Sequence, residues 1–272
     1  MYQTRLKTFY SRRVGDISGA IKLTGKVGKT NINLINAFDK NSIDSSDHKP
    51  MYTAFRMKRD VLKSSSLGFT ATNKLIDNRM ISTFSPDYVL NLGSLWKLTG
   101  QYVAAIDNWK VLRNTGYVRF AAENNFFHWH IRYSYLDGEG LKDIFNETGY
   151  LNDDNRNEFD SDVSYKWWIK NPVFKYINFS TANNIYWNDD FSKFMSLSTT
   201  YNFTNNLWVK LICQNNTSID KIYVYGLFGW RFKPPYGYLY FIVNQTEYMD
   251  SYGVFQNKYI GFLKLTYPIT IR

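Results

Sequence analysis

With 272 residues and 44% hydrophobic side chains, the chain can bury a substantial core, and 18% aromatics against 6 Pro and 16 Gly exclude disordered, collagen-like and low-complexity classes. Its one cysteine, Cys213, excludes a disulfide scaffold or a four-cysteine zinc site. The net charge of +10 is scattered through Lys22, Lys26, Lys29, Arg56, Lys58 and Arg59, with no basic cluster or nucleic-acid motif, so nucleic acid is not an expected partner. Mean hydropathy is -0.40, and no apolar run approaches the ~18 residues of a spanning helix. A membrane barrel stays open, because its strands need apolar side chains only at alternate positions.

Met1-Tyr2-Gln3-Thr4-Arg5 has no apolar h-region, so a cytoplasmic chain or a piece of a longer one is expected. Beyond it, alternation with a period of two dominates and helical periodicity is almost absent. Strands are predicted at Ile17–Val27, Asn31–Phe38, Met51–Asp60, Ser66–Thr72, Tyr88–Leu98, Tyr102–Trp109, Gly116–Asn124 and His128–Leu136. Further strands follow at Val163–Ile169, Phe174–Tyr186, Phe194–Phe203, Leu207–Cys213, Lys221–Phe232, Tyr236–Thr246 and from Tyr259 on, with Tyr2–Tyr10 able to supply a sixteenth. Many approach the ~9–11 residues that cross a bilayer at a tilt.

Short turn signals at Val27–Thr30, Asp60–Lys63, Leu98–Gln101, Asn124-Asn125, Asn171-Pro172, Phe203–Asn206 and Lys233–Pro235 alternate with longer polar connections. These are Asp39–Pro50, Asn73–Pro86, Lys110–Thr115, Asp137–Asp162, Asn188–Ser192, Asn215–Asp220 and Glu247–Asn257. In a meander that parity collects short turns at one end and long loops at the other, as in outer-membrane barrels, whereas a Greek-key sandwich has no reason to keep it. The expected fold is an all-β, antiparallel up-and-down transmembrane barrel of 14–18 strands, best counted as 16, forming one domain over residues 1–272. Trp109, Trp167, Trp168, Trp187, Trp208, Trp230, Tyr236, Tyr238 and Tyr267 sit near predicted strand ends, where amphipathic rings would anchor at the membrane interface.

The segments Phe9-Tyr10-Ser11-Arg12-Arg13-Val14-Gly15 and Gly19 to Ala37 resemble the start of the C-terminal barrel of an uncharacterised outer-membrane family of Gram-negative bacteria. In that family a carbohydrate-binding family 9-like sandwich precedes a barrel of unknown function. Phe55–Val61, Ser65–Gly68, Glu147–Leu151 and Lys264–Tyr267 are also similar, so the resemblance spans nearly the whole chain, and its first block is the specific one. It implies an outer-membrane location and a fragment or truncated product without the sugar-binding part. It supplies no catalytic residues.

The motifs that could carry chemistry are few. Gly25-Lys26-Val27-Gly28-Lys29-Thr30 has Leu23 where a phosphate loop needs its first glycine, so it reads as a hairpin. His128 and His130 fall on one strand face and could begin a zinc site, but no third ligand is identifiable in the sequence, and two polar rings on a barrel's interior need no metal. Asp153, Asn155 and Asn157 have calcium-loop spacing, yet Ser164 stands where the closing Glu belongs, and a solvated extracellular loop is the plainer reading. The pairs Asp153-Asp154 and Asp189-Asp190 do not give the geometry of glycoside hydrolysis, because neighbours in a strand point to opposite faces. No Gly-x-Ser-x-Gly elbow occurs, and no catalytic constellation or cofactor is expected.

The leading expectation is therefore a membrane barrel whose interior forms a channel, a plugged lumen or a docking site. Lys22, Arg56, Lys58, Arg132 and Lys264 would line its lumen or rim, favouring anions or gripping lipopolysaccharide phosphates. Expected partners are outer-membrane lipid and lipopolysaccharide, with carbohydrate or an envelope protein as further options. The competing expectation is a soluble all-β carbohydrate-binding or carbohydrate-active module.

Overall fold

The structure, a computed structural model, describes residues 4–40, 49–169, 176–188, 193–217, 219–234, 236–249 and 252–267. The strands are β1 (Ile17–Val27), β2 (Thr30–Asp39), β3 (Met51–Val61), β4 (Ser65–Ile76), β5 (Arg79–Leu92), β6 (Trp96–Asp107), β7 (Val111–Glu123) and β8 (Phe127–Leu136). After the short helix α1 (Leu141–Phe145) come β9 (Arg156–Trp168), β10 (Tyr176–Trp187), β11 (Lys193–Thr204), β12 (Leu207–Asn216), β13 (Lys221–Lys233), β14 (Gly237–Met249) and β15 (Phe255–Thr266). They form one antiparallel sheet in chain order, with β1 and β15 as its open edges among the described residues. Strand length runs from ten residues in β2 to fourteen in β5. No helix among the described residues is long and apolar enough to cross a membrane, which says nothing of strands.

The chain divides into two compact units: Met1–Phe120 with Tyr133–Asn157, and Ala121–Arg132 with Glu158–Arg272. In the first, the register fixes which residues share a face. Leu23 opposes Leu34, Leu34 opposes Phe55, Phe55 opposes Ala71, Ala71 opposes Phe84, and Phe84 opposes Ala104. Many large apolar residues of this face are exposed, among them Ile21, Leu23, Met57, Leu67, Leu75, Leu92 and Trp96. In β3–β6 the opposite face is largely polar and buried. It carries Arg56, Thr70, Thr72, Thr83, Ser85 and Gln101, with Ala54, Ile81, Val103 and Ala105 between them. A water-soluble sheet buries its apolar side, so the sense of burial here is inverted.

Two segments cover that polar face. The residues after β8 fold back over it, and Leu141, Ile144, Phe145 and Leu151 join Ile81, Val103, Ala105 and Leu136 in the main core, with Leu6 packed alongside. Polar contacts fix the rest. Thr148 Oγ1 lies 2.8 Å from Thr72 Oγ1, Lys74 Nζ donates to Glu147 at 2.6 Å, and the Gln101 side-chain amide exchanges hydrogen bonds of 3.0 Å with both backbone groups of Leu6. The expected solvated loop Asp137–Asp162 is thus a buried plug followed by the first half of β9. Of the segment Tyr2–Tyr10, expected as a sixteenth strand, the described residues 4–10 form none. Its described part makes one isolated bridge, Lys7 to Tyr150, because Leu6 and Thr8 bury against the covered face.

Other boundaries differ for the same reason. Asn73–Pro86, expected as a loop, is the end of β4 and the start of β5 around a tight turn at Asp77 and Asn78; its polar residues line the polar face or pair with each other, as Asn73 does with Ser82 at 2.9 Å. Lys110–Thr115 belongs mostly to β7, and the preceding turn uses left-handed Asn108 and Trp109. The predicted turn at Leu98–Gln101 is strand interior, and the chain reverses at Gly93–Leu95 instead, cutting the predicted strand Tyr88–Leu98 in two. Gly100 is there for another purpose: a Cβ on it would stand 2.6 Å from the ring of Tyr88 across the ladder. Short and long connections therefore do not alternate strictly. The loop Asp39–Pro50, the turn Asn171-Pro172 and the pair Asp189-Asp190 lie largely or wholly outside the described residues.

In the second unit the register aligns Leu197 with Cys213, Cys213 with Val224, and Val224 with Gln245, while Val209, Phe228, Phe241 and Leu263 form a parallel row beside them. Exposed Met195, Leu197, Leu211, Phe241, Val243, Leu263 and Leu265 all lie on this face. Towards one end it becomes mixed, with Asn215, Glu247 and Asn257 in one row with Met195 and Ile222. The other face carries Asn184, Ser196, Ser198, Thr200, Lys210 and Gln214. The contrast softens in β13–β15, where Leu227, Ile242, Ile260 and Phe262 share that polar face.

One joint of the plug titrates. Burial opposes ionisation of Asp137, but N–H groups of Gly138 (2.9 Å) and Asn114 (3.2 Å), the Tyr135 hydroxyl (3.0 Å) and the charge of Arg113 outweigh it and hold the carboxyl below the usual range. A depressed folded pKa gives stability that is present above the unfolded value and lost as pH falls through the folded one. Pepsin cleavage within residues 138–151 should therefore rise as pH drops below the ordinary aspartate range in the wild type, and Asp137→Asn should weaken that pH dependence.

Candidate functional site

Two groups of side chains on the polar faces have chemistry to offer, one in each unit. In the first, Arg56 on β3 and Asp87 on β5 reach across β4 and pair through both guanidinium nitrogens, the Nη2–Oδ1 contact being 2.9 Å. Arg56 is 3% exposed and also donates to Thr70 Oγ1 at 2.9 Å. The strand between them carries Gly68, where a Cβ would lie 2.6 Å from both Arg56 and Asp87. Glycine is required there because the ion pair occupies its side-chain space.

Beside this pair lies a cavity of about 400 Å³ lined by Lys7, Thr8, Tyr10, Lys22, Asn33 and Arg56, among others. It brings together two of the basic residues singled out in the sequence, Lys22 and Arg56. Lys58 and Lys264 do not line it.

In the second unit the polar rows of β8 and β9 face each other. His128 pairs with Asp162, His130 with Asp160 and Arg132 with Glu158, so the contacts advance by two on one strand as they retreat by two on the other, as facing antiparallel pairs must. His128 Nε2 and His130 Nδ1 each stand 2.9 Å from Asp162 Oδ1, and 3.3 Å from one another. The remaining nitrogen of His130, Nε2, lies 2.9 Å from Asp160 Oδ1. Arg132 binds Glu158 at 3.0 Å and also pairs with Asp160, while Asn184 donates to Glu158 at 3.0 Å. The third partner that sequence reading could not supply for the histidines is thus Asp162, brought in from the next strand. Its signal was the matching Glu158–Asp160–Asp162 alternation, hidden inside the expected loop Asp137–Asp162.

The calcium candidates are not gathered. Asp153 Oδ2 pairs with Arg156 at 3.2 Å, Asn155 takes a left-handed turn and donates its backbone N–H to Asp137, and Asn157 accepts the Tyr133 hydroxyl at 2.7 Å. Of the basic candidates, Arg56 and Arg132 are neutralised by carboxylates and so offer no free charge to an anion.

The interface aromatics divide. Trp167 and Trp230 are exposed, Trp230 lies in the apolar row, Trp187 shares the parity of Ile185 on the same face, and Trp109 and Tyr236 are in turns. Trp208 and Tyr238 lie on the polar face instead, their ring centroids 6.0 and 5.7 Å from that of Tyr240, and Trp168 has polar-row parity under Lys166. Tyr267, past β15, receives Lys233 over its ring at 4.7 Å.

Removing one partner of a buried ion pair strands the other charge and costs about 3–5 kcal/mol, whereas replacing both costs far less. Arg56→Met and Asp87→Leu should each destabilise the protein by about that amount in denaturant unfolding, and the double variant should recover most of it. Additive losses would show that the two side chains do not act as a pair.

The chain was also compared with known proteins. No family model matches it, and neither a curated protein nor a solved structure is significantly similar to it.

Proposed function

We propose that the chain is an outer-membrane β-barrel that acts by position, its apolar face meeting lipid and its polar face turned inward as a docking or plugged element. The observation that carries this reading is the inverted burial of β3–β5: Met57, Leu67, Leu75 and Leu92 are exposed while Arg56, Thr72, Thr83 and Ser85 are buried. Such a surface is costly in water and favourable in hydrocarbon. Strands of ten to fourteen residues suit a bilayer.

Within hydrocarbon no water can satisfy the open edges, so the ring has to close. In an antiparallel meander of fifteen strands β1 and β15 run the same way, and a seam made directly between them is parallel; one added strand makes it antiparallel. The plug over β3–β6 favours a closed or docking interior over a free channel. Ion pairing at Arg56 and Arg132 reduces the anion preference that the basic residues alone suggest. Carbohydrate or lipopolysaccharide phosphate is the proposed class of ligand, with Lys22 and Lys7 in the cavity the contacts for it.

The test is expression with and without detergent, followed by gel migration with and without heating. The barrel reading predicts extraction only by detergent and a heat-modifiable band; a compact detergent-free monomer would instead support the soluble carbohydrate-binding module. Arginine on the lipid face of a barrel costs about 2–4 kcal/mol near the midplane. Leu211→Arg should show that loss in vesicle-reconstituted protein, and Gln214→Ala, on the polar face, should not.

A further inference from the structure

We infer that His128, His130 and Asp162 form a binding site for one zinc-class divalent cation. Zinc holds nitrogen and oxygen ligands at about 2.0–2.2 Å, and tetrahedral geometry at that radius sets ligand atoms ~3.3 Å apart. His128 Nε2, His130 Nδ1 and Asp162 Oδ1 are separated by 2.9, 2.9 and 3.3 Å. The triangle is nearly the right size with no side chain moved.

The contacts are poor as hydrogen bonds and good as ligation. Asp162 Oδ1 is buried and accepts no aligned hydrogen bond, although two imidazole nitrogens stand beside it. A buried carboxylate oxygen without a hydrogen bond, next to two imidazole nitrogens 3.3 Å apart, is what a cation would unite. The second nitrogen of His130 faces Asp160 at 2.9 Å, the carboxylate–histidine arrangement that fixes the tautomer and orients a ligating ring. His128 has Glu123 on its other side at 3.8 Å.

Charge points the same way. Glu123, Glu158, Asp160 and Asp162 set four carboxylates about the two imidazoles, with Arg132 among them. Such acidic surroundings favour a cation. Two imidazoles and one carboxylate suit zinc rather than calcium or magnesium, which take oxygen ligands. Three protein ligands leave one coordination position for water or a small ligand. A polar cavity of about 310 Å³, lined by Asn124, His128, Ser164, Lys166, Asn178 and Asn202, gives an approach from the side of His128.

The experiment titrates the folded, metal-stripped protein in detergent with Zn²⁺ against a chromogenic chelator, and separately with Co²⁺ while recording visible absorption. One Zn²⁺ per chain and intense tetrahedral Co²⁺ bands are expected. His130→Ala and Asp162→Asn should each weaken Zn²⁺ at least ~100-fold, beyond the 10–100-fold range of outer-shell changes. Asp160→Asn should weaken it by about 10–100-fold while the Co²⁺ bands persist. Asp153→Asn, in the ungathered loop, should change nothing. Circular dichroism and heat-modifiable migration establish that each variant is folded, and the Co²⁺ spectrum of the wild type needs no variant. No stoichiometric Zn²⁺ binding by the folded wild type, or binding that survives His130→Ala, overturns the assignment.

Discussion

A strand has two faces, and hydrogen bonding along the ladder ties the faces of every strand in a sheet together. Once Leu23 opposes Leu34 and Leu34 opposes Phe55, the side of the sheet on which each residue of β1–β3 stands is settled. From β3 to β6 the common side so defined is apolar and largely open, and the reverse side is polar and covered. Most other features follow from having to bury a polar surface.

Burying polar groups demands partners, because an unsatisfied one costs roughly 1–3 kcal/mol. Thr72 meets both Thr83 and Thr148, Gln101 clasps the backbone of Leu6, and Arg56 is held by Asp87 and Thr70 over a glycine that leaves it room. The plug thus does for the first unit what a second sheet does for a sandwich. It also brings its own apolar residues: Leu141 and Phe145 settle on Ile81, Val103 and Ala105, an apolar island within the polar face. In the second unit the corresponding pressure yields the histidine–carboxylate–arginine cluster of β8 and β9, where charged groups are matched strand against strand.

The strand-rich class and the meander order were legible in the sequence because alternation in β1 and at the end of β15 is nearly uninterrupted: Ile21, Leu23 and Val27 keep one parity with Lys22, Thr24 and Lys26 on the other. Polar pairing is what hid the rest. Asn73, Lys74, Arg79 and Ser82 look like a loop when strands are assumed to need apolar residues, yet each stands on a strand and finds a polar companion, Asn73 with Ser82, Lys74 with Glu147 and Arg79 with Asp107. The acidic alternation of β9 is obscured in the same way: Glu158, Asp160 and Asp162 read as loop carboxylates, which conceals the companions of His128 and His130. Gly100 reads as a turn because a glycine that accommodates a neighbouring ring and one that reverses the chain are identical in sequence. Which face Trp208 and Tyr238 take depends on register, which a shift of one residue inverts.

Contact between the apolar row and lipid is the central claim, and accessibility along one strand measures it directly. Nitroxide labels placed singly at residues 207–212 of β12, in a Cys213→Ser background and in reconstituted vesicles, report collision with oxygen, which concentrates in hydrocarbon, and with a water-soluble nickel chelate. Labels at Leu207, Val209 and Leu211 are predicted to favour oxygen, and those at Trp208, Lys210 and Ile212 to show low oxygen access. Oxygen access without a period of two, or greatest at the even positions, would contradict the lipid-facing assignment.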